Sequence, residues 1–321
     1  MNALEIRPAT PDDLPEIVEV VNAISPDDPT SLEEQQSRER RRKPDLVFQR
    51  FVGVLDGRVF GVARFNQNEW LFDAHRFEVG MSVHPDQHGL GVGRALYDHL
   101  MRAILPFNPI KLRTSTREDR VRAVRFALDR GWTEETRAWE SRLELASFDG
   151  SRFQDALERV RDAGYEIVTF KSLEHDPDRN RKYFELDQDA SRDVPLAPGE
   201  SFTYPGFERY WQNAFDNPNF DPEAWFLAVK DGDYAGLTQL YGAAKPDLMH
   251  TGFTGVGRSH RGRGLALALK VTALEYAKSK GVREVETSNA QSNRPMLSIN
   301  EALGFVKAPA WIDYVKLLRD E

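Results

Sequence analysis

The chain has 321 residues and no cysteine. Disulfides, thiolate nucleophiles and Cys-ligated zinc are therefore excluded. No metal is expected, and a reducing cytoplasm is the expected compartment. Apolar runs are short, and none reaches the roughly 20 residues that a membrane-spanning helix needs. The opening Met1-Asn2-Ala3-Leu4-Glu5 has neither a basic nor an apolar stretch, so no signal peptide is expected. Basic charge is in deficit, with 43 Lys+Arg against 51 Asp+Glu and a net charge of −8. Nucleic-acid binding needs a basic field, so no such partner is expected. The run Arg38 to Lys43, broken by the single acid Glu39, is the exception. It reads either as the solvated end of an amphipathic helix or as a local clamp for phosphate or an acidic substrate.

What is present is a globular composition, 40% hydrophobic and 29% charged, in a chain long enough for two ordinary domains. One glycine-rich turn occurs twice. The first copy is His88-Gly89-Leu90-Gly91-Val92-Gly93, and the second is Arg261-Gly262-Arg263-Gly264-Leu265-Ala266. Each follows a β-like stretch ending in Val (Val83, Val256) and opens an apolar helix. Gly91 and Gly264 are 173 residues apart, as are Gly131 and Gly304. A period this long indicates a duplicated domain rather than a solenoid of short repeats.

Other signals repeat in the same order. Thr10-Pro11-Asp12-Asp13 reads as a helix start with Thr10 as N-cap. Asp56-Gly57 and Asp231-Gly232 are hairpin turns between apolar strands, but their offset is 175, so a two-residue difference lies between hairpin and glycine loop. The strand Arg76 to Val83 is matched by Met249 to Val256. Thr133 to Leu145 and Phe305 to Leu318 end the two copies, each as a last strand or hairpin. The expected organisation is a first domain over 1–147, a linking helix within 148–164, and a second domain over 165–321. Each half is a mixed α+β unit, not an alternating doubly wound sheet.

Each glycine loop places backbone N–H groups at a helix N-terminus, a ready site for an anion such as a pyrophosphate. Helix entry and tight packing are the plainer reading of one isolated loop, but two copies in one strand–loop–helix frame weigh against it. A P-loop is excluded because no Gly-Lys-Ser/Thr follows. A dinucleotide fingerprint would need glycine where Arg94 stands, and would follow the first strand.

These loops resemble the signature of the GNAT superfamily of N-acetyltransferases, Arg/Gln-x-x-Gly-x-Gly/Ala. The second copy matches it fully from Arg261 to Ala266. The first matches at Gly91 and Gly93 but has His88 at the Arg/Gln position. The resemblance covers nearly the whole chain as two tandem copies, each expected as a mostly antiparallel sheet flanked by helices. It implies that amides around Gly89, Gly91, Val92, Gly93 and Arg94, and around Gly262, Arg263, Gly264, Leu265 and Ala266, cradle the pyrophosphate of acetyl-CoA. It implies that Val83 and Val256 lend backbone groups to the pantetheine. The side chains of Arg261 and Arg263 either add contacts or are solvated. Asn293 stands where the family has a cofactor-touching Asn, and reads equally as a helix N-cap.

Acetyl transfer to an amine needs a base, a stabilised oxyanion and a protonated leaving thiolate. Glu78, on the strand before the first loop, is a candidate base or a structural ion pair. In the second copy the simple offset gives Thr251, beside His250, which is a candidate base or a hydrogen-bonded structural histidine. The family's acid Tyr falls at Ala127 and Asn300. Tyr97, Tyr241 and Tyr314 are other sources of a proton. The fuller loop match puts the expected turnover in the second half, and Glu78 argues for the first. The expected function is an acetyl-CoA-dependent N-acetyltransferase acting on a primary amine of a small molecule or peptide. The alternatives are a non-catalytic acyl-CoA sensor and transfer of another acyl group. The net negative charge favours a cationic acceptor, and the duplication favours a monomer.

Overall fold

The computed structural model describes residues 4–319. Met1, Asn2 and Ala3, which entered the reading of the N-terminus, lie outside them. In chain order the first half forms β1 (Glu5–Pro8), α1 (Leu14–Ile24), α2 (Leu32–Arg40), β2 (Phe48–Leu55), β3 (Arg58–Asn66), β4 (Arg76–Val83), α3 (Val92–Ile104), β5 (Lys111–Arg117), α4 (Val121–Leu128) and β6 (Thr133–Glu144). The second half forms α5 (Gln154–Asp162), β7 (Glu166–Thr169), α6 (Arg179–Ser191), α7 (Phe207–Phe215), β8 (Trp225–Lys230), β9 (Asp233–Gly242), β10 (Leu248–Val256), α8 (Leu265–Ser279), β11 (Glu284–Ala290), α9 (Arg294–Leu303), β12 (Val306–Lys307) and β13 (Trp311–Leu317).

Local chemistry accounts for several boundaries. Asp56 (φ 48°) and Gly57 (φ 78°) turn β2 into β3, and Asp231 (φ 52°) and Gly232 (φ 83°) turn β8 into β9. Two successive positive φ values match the right-handed twist of a tight hairpin. Before α1 the chain makes a single 3₁₀ turn, Pro11–Asp13, in which the Asp13 carboxylate accepts from the Thr10 amide at 2.7 Å. In α3, Val92, Leu96, Leu100 and Ile104 repeat every fourth residue and are all buried, one face against the sheet.

The described residues divide into two compact units. The first takes 4–136, 199–203 and 311–319, and the second takes 137–198 and 204–310. The first unit's sheet runs β1-β2-β3-β4-β5-β13, and the second's runs β6-β11-β10-β9-β8-β7, with β12 also on β6. All these pairings are antiparallel except β4 with β5 and β10 with β11. In the first core α3 packs Leu96 and Leu100 against Phe65 and Phe77. In the second, α8 packs Leu269 and Leu274 against Phe226 and Val285, and α5 adds Val160.

The closing strand of each sheet comes from the far end of the duplication. β13 pairs with β5, Trp311 opposite Arg117 through Leu317 opposite Lys111. β6 pairs with β11, Ala138 opposite Ala290 through Glu144 opposite Glu284. Ile312 and Tyr314 are buried in the first core, Leu143 and Leu145 in the second. An alternating strand names the face it buries and not the sheet that will bury it, which is why the sequence did not reveal the exchange.

Candidate active site

In each unit two neighbouring strands run parallel briefly and then part. Arg76, Phe77 and Glu78 pair with Lys111, Leu112 and Arg113. Beyond Glu78, β4 continues along β3 alone as far as Val83. Leu248, Met249 and His250 pair with Glu284, Val285 and Glu286 in the same way, and β10 then continues along β9 to Val256. Each fork leaves one edge of a strand without a strand partner.

The register corrects the simple offset. β10 carries a bulge between Thr251 and Thr254 that β4 lacks. The extra residue sets His250, not Thr251, in the place of Glu78: both stand at the last parallel step of their fork. A shorter connection and the bulge together account for the offsets of 175 and 173. From the matched residues Asn66 and Tyr241 the chain reaches the matched fork residues Arg76 and Leu248 in ten and seven steps, and the bulge restores one of the three lost.

The strand edges lead into the glycine loops. Gly89 and Gly91 have φ of 85° and 86°, and Gly262 and Gly264 have 75° and 81°. These left-handed values favour glycine over any L-residue. The first helical bonds run from the Ala95 amide to Gly91 O (3.0 Å) and from the Ala268 amide to Gly264 O (3.1 Å). The amides of Val92, Gly93 and Arg94, and of Leu265, Ala266 and Leu267, precede those bonds and have no intrahelical acceptor. A Cβ on Gly91 or Gly262 would meet nothing within 4 Å, so the loop mouths are open. Donors, dipole and space fit an anion. Arg122 brings a guanidinium nitrogen to 3.8 Å from where a Gly89 Cβ would lie, a cation the sequence reading missed.

The departure at His88 has a structural explanation. The His88 ring Nε2 lies 2.9 Å from Val83 O, and Arg261 Nε donates to Val256 O at 3.1 Å. Both residues tether the end of the forked strand to the loop. Arg261 also pairs with Asp193 at 2.7 Å. Arg263 donates to the Tyr165 hydroxyl at 2.8 Å and to Ser259 O at 2.9 Å. Both arginines therefore have protein partners. Asn293 caps α9, its Oδ1 accepting from the Met296 amide at 3.3 Å, which leaves its side-chain NH₂ uncommitted to the cap.

Around Glu78 the first unit has a cleft of about 120 Å³ lined by Asn68, Phe72, Glu78, Arg113 and Glu200 among others. Asn66 and Asn68 donate their side-chain amides to the two Glu78 oxygens, at 3.2 and 2.6 Å. Arg113, opposite Glu78, donates to Glu135 at 2.8 Å and to Glu200. Burial alone would lower the Arg113 pKa; the bonds to Glu135 and Glu200 outweigh it and raise it. The Arg113 Nε is buried with no partner among the described residues. Asn66, Asn68, Arg113 and Glu200 were not singled out from the sequence. They meet Glu78 through register and through the segment 199–203, which no local motif announces.

The second fork sets a histidine opposite an acid, where the first sets an acid opposite an arginine. His250 Nδ1 lies 3.4 Å from Glu286 Oε2. The same carboxylate pairs with Arg142 at 2.8 Å. Burial acts to lower the Arg142 pKa, and the charge of Glu286 with the Glu140 bond raises it overall. Of the three candidate tyrosines, Tyr241 stands directly across from His250. Tyr97 is turned to the Trp132 indole, whose N–H donates to it at 3.3 Å, and Tyr314 is buried in the first core. Ala127 and Asn300 are buried on α4 and α9.

A parallel fork that opens onto a glycine-capped helix, with Glu78 or His250 at the point of divergence, occurs twice. The family model described as acetyltransferase (GNAT) matches residues 15–132 and 181–305. The chain belongs to this family, as a tandem member. Mycothiol acetyltransferase of Thermobispora bispora is 28% identical over 232 residues, 70% of this chain and 71% of that protein. Mycothiol acetyltransferase of Thermomonospora curvata is 34% identical over 93 residues, 28% of this chain and 30% of its own length. Among solved structures, a tandem GNAT protein from the clavulanic acid biosynthesis pathway superposes with a TM-score of 0.76 at 21% identity, covering 99% of this chain and 100% of that one. A GCN5-related N-acetyltransferase from Sphaerobacter thermophilus gives 0.69 at 22% identity, covering 99% and 96%. At these identities the structural likeness speaks for the fold. No helix among the described residues is long and apolar enough to cross a membrane.

Proposed function

We propose that the chain is an acetyl-CoA-dependent N-acetyltransferase for a primary amine, and that turnover takes place in the first unit. One observation carries the reading: the cleft beside Glu78 lies at the point where β4 and β5 part. The pyrophosphate of acetyl-CoA lies against the amides from Gly89 to Arg94, with Arg122 at hand. The thioester lies along the free edge of Val79–Val83. Glu78, held by Asn66 and Asn68, takes a proton from the acceptor ammonium. The amine nitrogen then bonds to the thioester carbon, the C–S bond breaks, the thiolate takes a proton from water, and the new amide nitrogen gives up its second proton to the hydroxide so formed. The second loop, from Arg261 to Ala266 with Val256 and Asn293, binds a second acetyl-CoA.

Calorimetric titration of acetyl-CoA into the wild type, Gly91→Glu, Gly264→Glu and the double variant tests the binding half of this. A glutamate at either glycine repels a pyrophosphate and strains a left-handed position. Two sites are expected, each lost with its own substitution. No binding to a folded wild type would sink the proposal. A second reading, an acyl-CoA sensor without turnover, is favoured by Ala127 and Asn300 at the family's acid positions. Release of free CoA thiol with any amine rules that reading out.

A further inference from the structure

The first unit carries a group of arginines that the proposed acetyl-CoA site does not use. Arg50 on β2 and Arg64 on β3 are direct cross-strand partners, and Arg64 is in turn opposite Gly80 of β4. Cross-strand partners share a face, and residues two apart on a strand share it too. Arg50, Arg64, Asn66, Glu78 and Gly80 therefore lie on one face. The absence of a side chain at Gly80 lets Arg64 lie over β4, its Nε 3.2 Å from where a Cβ would be. Like charges directly opposite each other weaken a sheet, so this pair needs compensation. Arg50 has it: Glu39 pairs with Arg50 at 2.6 Å and with Arg42 at 2.6 Å. Arg64 does not. Its bond is to the Asn66 side-chain oxygen, and among the described residues no carboxylate forms an ion pair with it. Arg38 and Arg42, from the basic run at the end of α2, lie within electrostatic reach of Arg64, as does Glu78. Arg38 and Arg64 are both exposed. Arg50 and Arg64 thus lie on the face that Glu78 shares, with Arg38 and Arg42 within electrostatic reach of Arg64 and Glu39 pairing with Arg42 and Arg50.

We infer that Arg64, with Arg38 within electrostatic reach, binds an anionic group, a carboxylate or a phosphate, carried by the acceptor amine. The inference rests on the reading of the first unit as the acetyl-transferring one, and it names the class of acceptor. One i to i+2 step on a strand, about 7 Å, separates the Arg64 position from Asn66, which holds Glu78. An amine and an anion a few bonds apart, as in an amino acid or an aminoalkyl phosphate, span that step. The same arginines repel an acceptor that is cationic throughout. The local field is thus opposite in sign to the net charge of −8, and it reverses the sequence-based preference for a cationic acceptor.

The test has two arms on the full chain, with CoA saturating so that the glycine loops are filled. In the first, succinate and inorganic phosphate are titrated calorimetrically into the wild type, Arg64→Gln and Arg38→Gln. Glutamine keeps a donor to Asn66, so the exposed face stays folded. One anion is expected to bind the wild type and to weaken at least tenfold in Arg64→Gln, and its identity separates carboxylate from phosphate. No binding to the wild type, or equal binding to the variants, would overturn the inference. In the second arm, thiol release is compared for 4-aminobutyrate against its amide and for 2-aminoethyl phosphate against ethanolamine. A preference of at least tenfold in kcat/KM for one anionic member, lost in Arg64→Gln through KM, is expected. Equal use of both members of each pair would overturn it. Anion binding lost in the variant, with no thiol release from any amine, would leave the anion site standing and count against the acetyltransferase reading instead.

Discussion

The same face of the two units carries opposite chemistry. The hairpins repeat at an offset of 175, with a bulge at the same place in each, at Phe60 of β3 opposite the Gly53–Val54 step and at Ala235 of β9 opposite the Ala228–Val229 step. Position for position, the opposed Arg50 and Arg64 become the opposed Trp225 and Gln239. Asn66 becomes Tyr241, Glu78 becomes His250, and Arg113 becomes Glu286. In the second unit the face fills itself. Trp225 stacks on Tyr183 at 5.2 Å and meets Phe220 edge-on at 4.8 Å, and Gln239 donates to the Tyr183 hydroxyl at 2.7 Å. Buried Asp187, accepting from Tyr210 and from Ser191, has its pKa pushed up by loss of solvent. In the first unit the face is charged and borders a cleft. The forks and glycine loops are alike in both. The backbone geometry of forks and loops was repeated, while the side chains on this face were not.

The sharpest break of that comparison is at the two fork residues. Glu78→Gln is expected to lower kcat by about 100-fold or more, the scale of a lost general base, and His250→Gln by less than about threefold. Steady-state thiol release decides it, and the reverse result would move turnover to the second unit. Next in size is a buried cation. Lys270 on α8 stands where Tyr97 stands on α3, over the Phe305 ring at 5.3 Å, and burial lowers its pKa from 10.5 to about 8. Below pH 8 folded and unfolded chains both carry the proton, and the fold bears the desolvation cost. Between pH 8 and 10.5 the unfolded chain keeps a proton the folded chain has released, so stability rises with pH. Lys270→Met is expected to stabilise by about 3 kcal/mol at pH 7 and to flatten that rise. Tyr97→Phe removes the acceptor of the Trp132 indole, should cost about 1 kcal/mol, and should leave the slope unchanged. Urea unfolding across pH 7 to 10 checks both. The smallest effect is at the tethers. His88→Ala and Arg261→Ala each free one strand-end carbonyl, which should weaken acetyl-CoA at that loop alone by roughly fivefold, about 1 kcal/mol. Calorimetry that found both loops weakened by one substitution would break the idea of independent tethers.

Much of the site was legible in the sequence because it is built from local signals. Gly89, Gly91, Gly262 and Gly264 were readable because a left-handed turn into an apolar helix demands them. Glu78 stood out as a charge in an apolar strand. His250 was found, but its equivalence to Glu78 was missed, because one extra residue in β10 moves every later residue by one without leaving a mark in composition. The basic run Arg38 to Lys43 was noticed, yet Arg50 and Arg64, twelve and twenty-six residues beyond Arg38, join it only when β2 and β3 pair. Arg113 and Glu200 were invisible as neighbours of Glu78 for the same reason.

By itself the sequence determined the duplication, the strand–loop–helix frame and the backbone donors at each helix start. Those depend on φ preferences and on apolar spacing within about 20 residues, which a linear chain records directly. The tertiary structure alone decided the rest: which sheet β6 and β13 would close, that His250 would take the place of Glu78, and that the first unit's face would gather arginines where the second gathers aromatics. Strand register and strand partner are long-range choices. They are made by burial of whole faces rather than by any one segment, and no segment read alone contains them.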